Sequence, residues 1–285
     1  MFKTISLNFR PDDYKSLEII KNISELLSRK SIKFLLPDYK ILHDGEFEKF
    51  IADENDYLKS PDLIIAIGGD GTFLKTARMF LEQKAPIFGI NRGKLGFLTE
   101  FSPAEYESYL VKILEGDLIT ADRNVMEAIH NKNGNRQSLY FFNDAVISKG
   151  AFSRAIQIEL HVNDLFLNKY SGDGLIIATA TGSTAYSLSA GGPIVVPDAN
   201  DVFIVNPVCP HSLSIRPIIL PAASTLKART LTDMTNLLLT IDGQEAIEFS
   251  AGDDLMFRKT DKKMKLILHP EKNYFSILRE KLNWG

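Results

Sequence analysis

Residues 62–80 read DLIIAIGGDGTFLKTARMF. An apolar run ends in two glycines, and then come an acid, Asp70, another glycine and a stretch of helical character. A glycine-rich turn between a strand and a helix presents backbone N–H groups and the positive end of the helix dipole, which suits a phosphate. A carboxylate in such a turn conflicts with an anion unless it addresses something other than the phosphate. Two roles resolve the conflict. Asp70 can accept the proton of a hydroxyl that attacks phosphorus, or it can hold a divalent cation between phosphate oxygens. The structural alternative is that Asp70 caps its helix. Two common phosphate loops do not fit: GGDGTFLK lacks the Gly-Lys pair of GxxxxGK[ST], and Leu74 stands where GxGxxG needs its last glycine.

Two further stretches carry related chemistry. IFGINRGKLGFLT (87–99) is again a strand followed by a glycine-rich turn, here with Arg92 and Lys94. In a parallel sheet this turn shares the carboxyl edge with GGDG, although alone it reads equally as a βα loop with solvated bases. SGDGLIIATATGSTAYSLSAGGPIVVP (171–197) crowds Thr179, Thr181, Ser183, Thr184, Ser187 and Ser189 around Gly182. Short hydroxyls and unhindered N–H groups bind phosphate or ribose, Asp173 can accept from a ribose hydroxyl or an amide, and Tyr186 offers an aromatic face. The alternative is a turn-rich β segment. Asn143-Asp144 is either a β-turn or an amide and a carboxylate facing a ligand. Asp242-Gly243 reads as a hairpin turn and His211 as a structural histidine. No His/Cys/Asp spacing points to a structural zinc.

The elements that must position these residues divide into two textures. Strands at 3–8, 32–36, 63–67 and 86–90 alternate with helices at 14–30, about 72–83 and 102–115, the last with Ser102 as N-cap and Pro103 at the first helical position. Strand–helix alternation predicts an α/β N-terminal domain with a parallel sheet over residues 1–120. From residue 121 to 265 the apolar runs are short and separated by turn signals, with strands at 125–129, 138–147, 155–162, 175–179, 202–206, 225–228, 236–241, 254–259 and 264–268. That pattern predicts an all-β C-terminal domain. The final stretch looks helical, and 266–285 is a candidate to return to the first domain.

Bulk properties narrow the classes. The 285 residues are 45% hydrophobic and 24% charged, ordinary for a globular chain, and the net charge of −3 gives no attraction for nucleic acid or an anionic membrane. The single cysteine, Cys209, excludes an internal disulfide and fits a reducing compartment. MFKTISLNFRPDDYK has no apolar signal core, and no apolar run reaches the roughly 20 residues that span a bilayer. A cytoplasmic protein is the expectation.

GGDGTFLKTAR, GINRGKLGFLTE, Asn143-Asp144, GDGLIIATATGSTAYSLSAGGPIV, NPVCPHSLSIRP and IDGQ run in order between residues 62 and 244, and together they resemble the NAD kinase family. GGDG alone is similar to the turn of diacylglycerol and sphingosine kinases and of phosphofructokinase, but TGSTAYSLSAGGP separates the NAD kinases from those. The resemblance implies phosphorylation of the 2′-hydroxyl of the adenosine ribose of NAD by ATP or polyphosphate, giving NADP, with a divalent cation (Mg or Mn). It also implies an α/β domain plus a β-sandwich-like domain, a site in the crevice between them, and a homodimer or homotetramer.

Carried over by position, Asp70 resembles the proton acceptor, with Gly71 beside it and Lys75 one turn on. Asn143 and Asp144 match the pair that contacts the adenosine, and Arg154 a basic or histidine contact. Ser171 and Asp173 flank the next turn, with Asp173 on the nicotinamide side. Thr181 and Thr184, Ala185, Tyr186, Ser187, Leu188 and Ser189 match the hydroxyl-rich loop, whose Ala185 and Tyr186 approach the ligand from a neighbouring subunit, and Gln244 matches the DGQ glutamine. Three positions depart from the pattern: Asp144 where Glu is commoner, Ala180 where Pro is usual, and Ser171 where Arg is frequent. A lipid- or sugar-type kinase sharing GGDGT, and a non-catalytic NAD(P)-binding sensor, remain as alternatives.

Overall fold

Runs that are apolar on both faces build a parallel sheet. In this computed structural model, which describes residues 2–43, 45–93, 95–132, 134–150, 155–197, 201–232 and 237–284, β1 (Thr4–Phe9), β2 (Lys33–Leu35), β3 (Leu63–Gly68) and β4 (Ile87–Asn91) run parallel in the order β2-β1-β3-β4. All six residues of β3 and all five of β4 are buried, as strands covered on both faces must be. The helices are α1 (Ser16–Arg29), α2 (Glu54–Lys59), α3 (Asp70–Met79) and α4 (Tyr106–Leu114). The apolar face of α1, with Ile19, Ile20, Ile23, Leu26 and Leu27, packs into one core with Ile5, Leu7, Ile65 and Phe88. Because β2 and β3 flank β1 on opposite sides, the topological switch lies at the carboxyl ends of β1 and β3, the edge at which open α/β sheets gather ligands.

α4 starts later than the sequence predicts. Residues 102–105 form a turn in which Ser102 N–H donates to Glu105 Oε1 at 2.8 Å, and the helix proper opens at Tyr106 without a side-chain cap. The acid three residues on, rather than the Ser102 hydroxyl, closes that turn.

Antiparallel strands come next: β5 (Ile119–Lys132), β6 (Asn135–Phe141), β7 (Asp144–Ser148), β8 (Ile156–Val162), β9 (Leu165–Gly172), β10 (Gly174–Ala178), β11 (Val202–Val208), β12 (Ile218–Pro221), β13 (Leu226–Thr230), β14 (Leu237–Ile241), β15 (Glu245–Phe249) and β16 (Asp254–Leu268). A single helical turn, α5 (Tyr186–Ser189), lies between β10 and β11, and α6 (Tyr274–Leu282) ends the described chain. One sheet has the order β12-β11-β10-β7-β14-β15, while β16, which runs parallel to β4 and antiparallel to β13, continues the first sheet through β13, β8 and β9, with β5 pairing with β16 and β6. Side chains of both, such as Ile147, Leu175, Phe203, Ile158 and Phe257, share one core, so this part is a β-sandwich.

Several strands differ from expectation. The run 138–147 is two strands: β6 pairs with β5, and β7 pairs with β10 and β14 in the other sheet, with the chain turning at Phe142-Asn143. The sequence reading gives no strand at β9, whose exposed and partly polar residues lack clean alternation, or at β12, a four-residue stretch, IILP, that ends in proline. The segments 254–259 and 264–268 are one strand, β16.

The chain clusters into two compact units, Met1–Asp122 with Lys263–Gly285, and Arg123–Lys262. β16 serves both: Leu226 faces Phe257 in the second unit, and Leu266 faces Ile87 in the first. No described helix is long and apolar enough to cross a membrane.

Leu7 is fully buried at the centre of the parallel sheet, whereas Leu165 is 74% exposed. Leu7→Ala is expected to cost about 2–5 kcal/mol and Leu165→Ala less than about 0.5 kcal/mol, read from the urea midpoint of the first variant against the near-native curve of the second.

Candidate nucleotide site

GGDG sits where the switch-point argument places a ligand edge. β3 ends at Gly68, Gly69 is the N-cap of α3, and Asp70 is the first residue of that helix. Gly68 has φ 153 and a Cβ there would meet Thr72 Oγ1 at 2.4 Å, so only glycine fits. Its carbonyl accepts from Arg92 N–H at 3.1 Å, which ties the second glycine-rich turn to the first.

That second turn wraps the Asp70 carboxylate. Phe97 N–H donates to Oδ2 at 2.8 Å; Leu98 N–H, Thr99 N–H and Thr99 Oγ1 donate to Oδ1 at 3.0, 3.2 and 3.0 Å. Among the described residues Oδ1 is saturated and Oδ2 accepts one bond, so Oδ2 retains a lone pair. Gly96 is obligatory for the same reason, because a Cβ there would lie 2.0 Å from Asp70 Oδ1. Gly71 and Lys75 are exposed on the opening turns of α3. Arg92 pairs with Asp13 at 2.5 Å, and Lys94 lies outside the described residues.

The second unit holds a cleft of about 650 Å³. Asn143, Asp144, Asp173, Ala185 and Tyr186, all singled out from the sequence, line it together. The turn that carries Asn143 and Asp144 is held from two sides. Asp242 Oδ1 accepts the N–H groups of Phe142, Asn143 and Asp144 at 3.2, 2.8 and 3.1 Å. Opposite, Thr179 Oγ1 donates to Phe142 O at 2.5 Å and Thr179 N–H to Asn143 O at 2.8 Å. Gly182 packs flat on this turn, where a Cβ would stand 2.0 Å from Asn143 O. With its backbone so satisfied, the turn leaves Asn143 Oδ1 buried and without a hydrogen-bond partner among the described residues.

Asp144 is 4% exposed. Burial, and then the like charge of Asp242, push its carboxyl up to about 7, against a smaller opposing effect of the Tyr186 N–H. Tyr186 is 47% exposed and lines the cleft. Asp173 pairs with Lys149 at 2.7 Å, and that hydrogen bond holds its carboxyl below the usual range.

Other sequence-predicted residues stand apart from this lining. Ser187 is buried, and Asn206 Nδ2 donates to its carbonyl at 2.8 Å, so it anchors the loop. Thr181 and Thr184 belong to a 3-10 turn, Thr181–Thr184; Leu188 is half-buried, and Ser189 and Gln244 are exposed. The Ser171 carbonyl accepts from His211 N–H at 2.9 Å. Arg154 lies outside the described residues. Sequence reasoning missed Lys149, Cys209, Thr240 and Asp242 as cleft residues. Cys209 lies in NPVCPHSLSIRP and Asp242 in IDGQ, but neither is singled out there, and Asp242 reads as a hairpin turn.

ATP-NAD kinase N-terminal domain matches residues 6–118, and ATP-NAD kinase C-terminal domain matches residues 142–269. The NAD kinase of Sulfurimonas denitrificans is 37% identical over 100% of this chain and 98% of its own length. The chain belongs to the NAD kinase family. Another relative in the family, the NAD kinase of Aquifex aeolicus, is 36% identical over 98% of both chains. Among solved structures, yeast NADH kinase complexed with NADH superposes with a TM-score of 0.90 at 25% identity, covering 99% of this chain and 88% of that one. An NAD kinase from Archaeoglobus fulgidus in complex with ATP shares the fold, with a TM-score of 0.78 at 24% identity over 99% of this chain and 100% of that one.

The Asp144 carboxyl makes a stability prediction. The folded chain keeps its proton up to about pH 7, whereas the ordinary value is 3.8. The folded state therefore binds the extra proton between these values, and stability falls as pH rises through that window, by on the order of 4 kcal/mol. Thermal unfolding at pH 5 and pH 8 should show a larger loss for the wild type than for Asp144→Asn.

Proposed function

We propose that this chain is an NAD kinase, transferring a phosphoryl group from ATP or polyphosphate to the 2′-hydroxyl of the adenosine ribose of NAD and releasing NADP. The observation that carries this is the cleft of the second unit, where the unpartnered Asn143 Oδ1 and the buried Asp144 carboxyl stand with the exposed Tyr186 ring. A dinucleotide supplies what these groups lack: an exocyclic amine and ribose hydroxyls to donate, and a flat base to lie on the aromatic face. The two solved relatives, one complexed with NADH and the other with ATP, support the same pair of reagents.

Asp70 accepts the hydroxyl proton through Oδ2, the oxygen with capacity to spare. Gly71 and Lys75 attend the phosphates at the N-terminus of α3. Asp173 meets the nicotinamide side, and Arg154, Ser171, Thr181, Thr184, Ala185, Leu188, Ser189 and Gln244 take the contacts that their motif positions imply, while Ser187 holds the loop in place. Among the described residues no three His, Cys, Asp or Glu side chains cluster. No protein side chain is assigned to the Mg²⁺ or Mn²⁺ of the reaction, which the nucleotide phosphates would carry. Such an ion, when bound, offsets the phosphate charge. A cytoplasmic homodimer or homotetramer completes the proposal.

Purified protein incubated with NAD, ATP and Mg²⁺ should form NADP, detected with an NADP-specific dehydrogenase. Asp70→Asn should retain NAD-dependent thermal stabilisation and lose ~10²–10⁴-fold in kcat. Near-native turnover in that variant would remove Asp70 as the base, and NAD binding without NADP from wild type under either donor would identify a sensor. Gly182→Ala, which drives a methyl into the Asn143 backbone, should raise KM for NAD by roughly 10- to 100-fold; an unchanged KM would separate the turn from NAD binding.

A further inference from the structure

As a turn, Asp242 is simply accounted for. Asp242 and Gly243, at φ 48 and 66, are successive left-handed residues in the three-residue hairpin connection from β14 to β15, where Ile241 pairs with Glu245 and Gln244 N–H donates to Ile241 O at 2.9 Å. Asn-Gly serves that geometry at least as well as Asp-Gly. The carboxylate, however, does something that a hairpin does not require. It gathers three consecutive N–H groups from residues 98 to 100 positions away in the chain. Phe142 N–H also reaches Oδ2 at 3.3 Å, and Asp242 N–H donates back to Asp144 O at 2.8 Å. The same carboxylate stands as a like charge beside the buried Asp144, a cost that Asn would remove.

We infer that Asp242 is a positioning residue for nucleotide recognition: its anionic carboxylate fixes the 142–144 turn and so the direction in which Asn143 and Asp144 meet the ligand. The inference rests on the NAD kinase reading of this cleft. An anion binds N–H groups more strongly than a neutral amide oxygen does, and three of them converge here. Asn143 lies beyond β6 and before β7, where no ladder holds it, so its orientation depends on this contact and on Thr179 opposite. The groups that act on Asp144 are Asp242 from the β14–β15 turn and the Tyr186 N–H from α5; the Lys149–Asp173 ion pair lines the same cleft.

The test is Asp242→Asn, assayed across pH. The expected result is a melting temperature equal to or above wild type, a KM for NAD raised roughly tenfold, and kcat changed far less. The acid limb of kcat/KM should also move to lower pH, because Asp144 loses its like-charged neighbour. A purely structural turn residue would move neither KM nor the limb, so native values of both overturn the inference. Should the variant fail to fold, hydrogen exchange on the wild-type chain decides: amides 142–144 should exchange as slowly as those of β7, and fast exchange at these three overturns it. Absence of NADP from wild type would instead defeat the kinase reading, and the exchange experiment would still judge the Asp242 contact on its own.

Discussion

A carboxylate that collects three consecutive backbone N–H groups is the contact on which both halves of the chemistry depend. Asp242 does this for residues 142–144 and Asp70 for residues 97–99. In each case a stretch of chain has N–H groups that the strand ladders do not satisfy, and leaving them buried and unpaired costs about 1–3 kcal/mol apiece. A side-chain anion resolves all three at once. The turn is thereby rigid where side chains must point outward: its main chain is spent on structure, and its amide and carboxyl side chains are left for a ligand.

The two clamps differ in what the acid does besides holding. Asp242 is committed, with Oδ1 taking three donors and its own N–H returning one to Asp144. Asp70 distributes its bonds unevenly and keeps Oδ2 open to one more donor. Glycine makes both close approaches possible: Gly96 beneath Asp70, and Gly182 on the face of the 142–144 turn opposite Asp242. Glycines in these motifs therefore do not only cradle phosphate. Some exist because a carboxylate or a carbonyl already fills the space of a side chain.

Much of the architecture was legible because its causes are local. Strand–helix alternation, the buried runs of β3 and β4 and the amphipathic α1 follow from spacing alone. The failures are equally physical. LYFFNDAVI reads as one strand although Asn143-Asp144 inside it is a turn signal; the chain changes sheets there, and the anchor that holds the turn, Asp242, lies about a hundred residues on. β9 was missed because an edge strand with exposed residues has no burial pattern to print on its sequence. Of the candidate site, Asn143, Asp144, Asp173, Ala185 and Tyr186 were found through the family motifs and do share a cleft. Lys149, Cys209, Thr240 and Asp242 reach it only through tertiary pairing, which the sequence pattern did not encode.

Burial and the like charge of Asp242 keep the Asp144 carboxyl protonated up to about pH 7, against a smaller opposing effect of the Tyr186 N–H. Ribose hydroxyls and an exocyclic amine donate hydrogen bonds and so select the ionised Asp144. On the proposed NAD kinase reading, binding a nucleotide would be coupled to releasing that proton, and the same Asp242 that orders the turn sets the charge against which its neighbour ionises.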